Sequence, residues 1–113
     1  MSDLAQRELK PPRSKDAQPL QGAALETLYQ ALGNDWQLID GHHIEKTYKF
    51  KDFKGALAFT NRVGELADSV DHHPEICLTW GKAKVTIWTH SIGGLSEADF
   101  VFAARADLFQ AGA

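Results

Sequence analysis

The sequence predicts a two-layer α+β domain, with a four-stranded antiparallel sheet and helices on one face in the order α-β-β-α-β-β-α. Three observations carry this expectation. Two pairs of short alternating segments are each joined by a tight turn, Asp40-Gly41 in one and Gly81-Lys82 in the other, and hairpins make antiparallel pairs. Helical stretches flank both hairpins, their apolar residues recurring at spacings of three and four. The chain has 113 residues and is 43% hydrophobic, which fits one domain with enough apolar material for a core.

Residues 1–19 hold three of the four prolines and mix both charge signs. No apolar period continues beyond Leu4 and Leu9. Such a composition buries too little surface to offset the entropy of ordering it. A disordered, dispensable N-terminal tail is therefore expected over 1–19, and the folded domain over 20–113.

The first helix is expected over 21–32, where Leu25, Leu28 and Leu32 form a stripe and Gly33 supplies a stop. A strand over 36–40 follows, then the Asp40-Gly41 turn and a return strand over 44–50. Ile44, Tyr48 and Phe50 fall on one face of that strand, and Glu45, Thr47 and Lys49 on the other. Asp52 is a good N-cap for a long helix from Phe53 to about Val70. One stripe of that helix is Ala56, Phe59, Val63, Leu66 and Val70. A second is Phe53, Leu57, Thr60, Gly64 and Ala67. Together they exceed the roughly 100° face that a helix on a monomeric sheet needs. Either the core face is thick or a second subunit packs there.

The helix exit is His72-His73-Pro74. A residue before proline is pushed out of helical geometry, so His73 should be extended. Strands are expected over 75–80 and 84–89. Ile76, Leu78 and Trp80 share a face, and Cys77 reads as a small buried hydrophobe. His90 ends the last strand, in phase with Trp88. Gly93-Gly94 is a flexible link. Ser96 and Asp99 resemble a capping box, with Asp in the place of Glu or Gln. The last helix should run to about residue 109, burying Phe100, Ala103, Ala104 and Leu108.

The formal net charge is −3, and Lys and Arg are scattered, so no basic stripe points to nucleic acid. No apolar run approaches the roughly 20 residues of a membrane span. The N-terminus lacks the apolar core of a signal peptide, and the single cysteine fits a reducing compartment, so a cytoplasmic protein is expected.

Three of the five histidines lie in one stretch: His72, His73 and His90. Strands three and four form a hairpin, so the start of one and the end of the other are neighbours, and the three imidazoles can converge. Histidine titrates near neutral pH and can give or take a proton. Asp68 lies one helical turn before His72, and Asp99 lies in the first turn of the last helix. Either could orient an imidazole, and either could instead be a plain helix residue; Asp99 has the capping role open to it. The other pair, His42-His43, follows the Asp40-Gly41 turn, and the sequence assigns it no chemistry.

The full spacing carries more than any part. Asp68, three residues, His72-His73-Pro74, five residues, Trp80, nine residues, His90, eight residues, Asp99: this pattern resembles the pterin-4a-carbinolamine dehydratases. YKFKDF over 48–53, A-x-x-F-x-x-R-V over 56–63, Thr89-His90 and G-L-S-E-x-D over 94–99 agree with it. The resemblance spans residues 20–108. It departs at Trp80, where tyrosine is common, at Asp68, where many members carry Glu, and at Trp88, which replaces a small residue beside the site.

The resemblance implies loss of water from 4a-hydroxytetrahydropterin to give quinonoid dihydropterin, recycling the cofactor of aromatic amino acid hydroxylases. It implies His72, His73 and His90 as the catalytic set. His72 and His90 lead as acid and base, and His73 mainly holds the pterin. Asp71, Pro74, Trp88, Thr89 and Ser91 join the histidines in binding the ring, while Asp68, Trp80 and Asp99 support the site. No cofactor or metal is required. The expected partners are the pterin and further copies of the chain, as a homodimer or homotetramer.

Two other readings stay open. Three histidines and a carboxylate are a set that zinc accepts, although adjacent histidines on an extended chain point to opposite sides. Animal members of the family also serve as dimerisation cofactor of a homeodomain transcription factor through a helical surface, and the stripe over 56–70 could play that part.

Overall fold

The computed structural model describes residues 4–12 and 17–111. Its elements are α1 (Gly22–Leu32), β1 (Gln37–Ile39), β2 (His43–Lys49), α2 (Phe53–Val70), β3 (Glu75–Thr79), β4 (Lys82–Ile87) and α3 (Glu97–Ala111), with short 3-10 turns at Leu4–Gln6 and His90–Ile92. The four strands form one antiparallel sheet in the order β1-β2-β4-β3. The predicted α+β class is therefore the observed one. No helix among the described residues is long and apolar enough to cross a membrane.

Local chemistry accounts for the element ends. Asp40 and Gly41 both have positive φ, 55° and 65°, as the central pair of a type I′ turn requires, and the His42 N–H closes the turn on the Ile39 carbonyl at 2.9 Å. Asp52 caps α2 by accepting a hydrogen bond from the Gly55 N–H at 2.8 Å. Alternation then decides faces. Ile44, Tyr48, Ala83, Val85 and Ile87 are buried under the helices, against Phe59 and Val63 of α2 and Phe100, Val101 and Phe102 of α3.

A carboxylate that the sequence did not single out ties α3 to the sheet. Asp107 accepts from Lys46 Nζ at 2.9 Å, Tyr48 OH at 2.6 Å, Trp36 Nε1 at 3.2 Å and Asn34 Nδ2 at 3.3 Å. Burial pushes the Tyr48 phenol pKa far above its ordinary value, and the Asp107 charge and hydrogen bond push it further the same way. Tyr48 therefore stays a donor.

Two expectations about exposure and one about a strand end need correction. Cys77 is exposed rather than buried, because it faces the uncovered side of the sheet with Glu75 and Thr79. Trp80 is 70% exposed: β3 ends at Thr79, so Trp80 stands in the turn beyond the covered face. Leu108 is also largely exposed; the end of α3 buries Ala106 and engages Asp107 instead.

Part of the segment expected as a tail is among the described residues. Residues 1–3 and 13–16 lie outside the described residues. Residues 4–12, however, dock on α3. Leu4 is fully buried in the core. Arg105 reaches back from α3 to donate to the Ala5 and Arg7 carbonyls at 3.2 and 2.7 Å, and Arg7 pairs with Glu97 at 2.9 Å. Composition reports the average cost of order, whereas one leucine in a prepared hole and one arginine on two carbonyls are enough to seat this segment. Farther on, Leu20 N–H donates to the Leu95 carbonyl at 2.8 Å, and Pro19 packs so closely on Gly94 that a Cβ there would come within 2.8 Å of it.

Leu4→Ala is expected to destabilise the protein, by up to about 2–5 kcal/mol for an emptied core leucine site, limited by the free energy of peeling the segment from α3. Deletion of residues 1–12 should likewise lower Tm in a circular-dichroism melt. A deleted chain that melts with the full-length chain would show that the segment contributes nothing.

Candidate active site

The end of α2 explains why two adjacent histidines part company. Asp71 takes the left-handed conformation, with φ 51° and ψ 50°. Its N–H bonds to the Asp68 carbonyl at 3.4 Å, and the His72 N–H bonds to the Ala67 carbonyl at 3.1 Å. This is the Schellman pattern, with its six-to-one and five-to-two bonds. The residue after the left-handed one then folds back on the last turn, a place usually taken by an apolar side chain. His72 holds that place and is 6% exposed, beside buried Ala67. Pro74 keeps His73 extended, and His73 turns outward to solvent.

The inward imidazole meets Asp99. His72 Nε2 donates to Asp99 Oδ1 at 2.6 Å, and its ring stands edge-on to Phe102 at 6.1 Å. Asp99 itself is fully buried. Its Oδ2 accepts from the Ser96 N–H at 2.8 Å and from Thr89 Oγ1 at 2.9 Å. Thr89 has one hydroxyl proton. With that proton given to Asp99, the 2.7 Å contact to Ser96 Oγ runs from serine to threonine. The Ser96 N–H bond is the carboxylate half of a capping box. The two sequence-level roles of Asp99 are thus not alternatives: one oxygen holds the histidine while the other caps α3.

His73 and His90 are held differently. His73 Nε2 lies 2.9 Å from Asp68 Oδ1, and its Nδ1 lies 3.8 Å from Asp71 Oδ1, all at the surface. His90 opens a four-residue loop closed by the Thr89–Gly94 bridge, whose N–H to carbonyl bonds are 2.8 and 3.4 Å. Thr89 points inward to Asp99, while Trp88 and His90 share the other side and stack at 4.2 Å with planes 7° apart.

A cleft of about 310 Å³ lies between these elements, lined by Asp71, His72, His73, Thr89, His90 and Ser91, and also by Pro11 and Pro12. Of the residues expected at the site, Asp68 and Asp99 lie behind the cleft as partners of His73 and His72. Trp88 lies behind His90. Pro74 sets the backbone without lining the cleft. Trp80 does not belong to it. It stands at the far end of the β3–β4 hairpin, five strand residues from the histidines, which is roughly 17 Å at the rise of a strand. Sequence reasoning missed Pro11 and Pro12. No local pattern marks them, since they reach the cleft only through the docking of residues 4–12 on α3 and a 3.2 Å hydrogen bond from Ser91 Oγ to the Pro12 carbonyl.

Residues 18–109 match the family model described as pterin 4 alpha carbinolamine dehydratase. The chain belongs to this family of hydro-lyases. The carbinolamine dehydratases similar to it include one named as such in Rubrobacter xylanophilus, 48% identical over 107 residues that cover 95% of this chain and 98% of that protein. A solved structure titled a transcriptional coactivator/pterin dehydratase from Brucella melitensis superposes with a TM-score of 0.76 at 32% identity, covering 81% of this chain and 98% of that one. A pterin dehydratase-like protein titled a RuBisCO assembly factor in the alpha-carboxysome shares the fold at a TM-score of 0.59 and 21% identity, over 70% of this chain and 93% of its own.

Asp99 links three segments, so its loss should be felt in both stability and activity. Asp99→Ala leaves His72 Nε2–H, Thr89 Oγ1 and the Ser96 N–H facing a cavity, and is expected to cost about 3–5 kcal/mol, as for removing one partner of a buried pair. Asp99→Asn keeps the shape but turns its amide hydrogens toward one set of donors, and should cost less. Urea titrations of both variants read this directly. An Asp99→Ala protein as stable as the parent would refute the assignment.

Proposed function

We propose that this protein eliminates water from 4a-hydroxytetrahydropterin, giving quinonoid dihydropterin and so recycling the pterin cofactor spent by aromatic amino acid hydroxylases. The observation that carries the reading is the Asp99–His72 pair, placed at a cleft that also presents His73 and His90.

The reaction needs two proton movements. The C4a–O bond breaks with its electron pair, and the departing hydroxyl takes a proton to leave as water. The neighbouring ring nitrogen gives up its N–H proton, and that electron pair becomes the new C=N bond. The oxidation level is unchanged. Asp99 holds the His72 Nε2–H and leaves Nδ1 to act on the substrate, in the tautomer-fixing manner of a carboxylate behind an imidazole. His90, exposed at the opposite lip, has no side-chain partner on either nitrogen among the described residues. The two serve as the acid–base pair. His73, anchored by Asp68 at the rim, binds the pterin, with Asp71 and Ser91 offering polar groups to its edge and Thr89 held behind them by Asp99. The two prolines wall the remaining side.

An oligomer is part of the same proposal. On α2, Phe53 and Leu57 are 43% and 39% exposed, and Gly64 faces open space. These residues belong to one helical stripe and would let a second backbone approach. Light scattering should find a dimer or tetramer at micromolar concentration, and Leu57→Arg should shift it toward the monomer. A strictly monomeric parent would rule this out.

The decisive assay uses chemically generated 4a-hydroxytetrahydropterin. His72→Ala and His90→Ala should each lower kcat, by up to ~10²–10⁴-fold where general acid or base catalysis is lost, and the double variant should be far slower than either. His73→Ala should act mainly through KM. A folded double variant with near-normal kcat would sink the mechanism.

A further inference from the structure

Three imidazoles face the cleft, but only two are held by carboxylates. Among the described residues no side chain hydrogen-bonds to either nitrogen of His90. Its one ring contact among them is Trp88, stacked at 4.2 Å and 7°. The stack follows from the backbone. Thr89 is extended, with φ −95° and ψ 105°, and in an extended chain residues i and i+2 share a side.

The indole is itself backed by the pair of histidines to which the sequence assigned no chemistry. Ile44 pairs with Ile87 across β2 and β4, so the next residues along, His43 and Trp88, are cross-strand neighbours. The His42 and His43 rings stand 5.3 and 5.8 Å from the indole at angles of 46° and 52°, and their Nδ1 atoms are 3.0 Å apart, a distance that requires one to donate to the other. His90, Trp88 and the His42–His43 pair thus form one aromatic cluster running from the cleft back to the β1–β2 turn.

We propose that Trp88 is a positioning residue for His90, holding its imidazole over the cleft by stacking, with His42 and His43 backing the indole. The proposal rests on the dehydratase reading and assigns Trp88 a place behind the reacting group rather than against the substrate. An exposed imidazole on a short loop would otherwise sample several rotamers. A hydrogen-bonding partner would fix it, but would occupy one ring nitrogen and set the tautomer, as Asp99 does for His72. A stacked indole fixes the ring plane and leaves both nitrogens at the ring edge free to exchange protons.

The test combines kinetics with NMR on the full chain. Trp88→Ala is expected to lower kcat roughly 10-fold or more, the scale on which a misplaced catalytic group loses rate, with KM little changed. Trp88→Phe retains a ring and should recover most of kcat. In the parent, the His90 ring protons should be shifted upfield by the indole ring current, and Trp88→Ala should remove that shift while circular dichroism shows the fold intact. Trp88→Ala with unchanged kcat, or with raised KM alone, would overturn the proposal. So would a Trp88→Phe protein as slow as Trp88→Ala, or a parent whose His90 protons show no upfield shift. A parent inactive on 4a-hydroxytetrahydropterin would overturn the functional reading instead, and the NMR arm would still decide whether Trp88 holds His90.

Discussion

The Asp99 carboxylate is the constraint on which the site and much of the fold depend. A fully buried carboxylate is costly unless each lone pair has a donor. Here the donors come from three separate segments: His72 at the exit of α2, Thr89 just past β4, and Ser96 at the start of α3. Satisfying one charge therefore fixes where α3 begins relative to the β3–β4 hairpin and how α2 ends. The negative charge also sits in the first turn of α3, where the helix dipole favours it. The geometry of the cleft and tertiary packing are, at this residue, the same set of hydrogen bonds.

The three cleft histidines differ in what holds them, and the difference maps onto chemistry. His72 is buried and locked by a charge-assisted bond, which fixes its tautomer. His73 is exposed and tethered at the surface, where screening by water weakens any ion pair. His90 is exposed and oriented by a ring that takes no proton. A site built this way presents one imidazole of set tautomer and one of free tautomer to the same space, which suits an elimination that must both deliver and remove a proton.

The α3 helix organises the rest. Asp99 pins its start to the site, and Asp107 pins its end to β2 and the α1–β1 connection through four donors. Between them Arg105 holds the N-terminal segment, which carries Pro11 and Pro12 to the cleft. A segment outside the family match thus completes the wall of the pocket, and its docking depends on the same helix that orients His72.

Much was legible in the sequence because it is local. Helical period, the Asp52 cap, the Asp40-Gly41 turn and the kink before Pro74 are each set by a few neighbouring residues, and these placed His72, His73 and His90 at adjoining element ends. The spacing from Asp68 to Asp99 identified the family for the same reason. What the sequence left undecided was every choice between partners far apart along the chain. Alternation gives a strand two faces but does not say which is covered, so Cys77 was read as buried. A stripe gives a helix a side but not its limits, so Leu108 was read as core. That Asp99 both caps and orients, that Asp107 gathers four donors, that His42 and His43 stand behind Trp88, and that Leu4 finds a hole on α3 were all decided by tertiary structure. Each depends on bringing segments together across tens of residues, and only the packed chain holds the geometry that makes those contacts favourable.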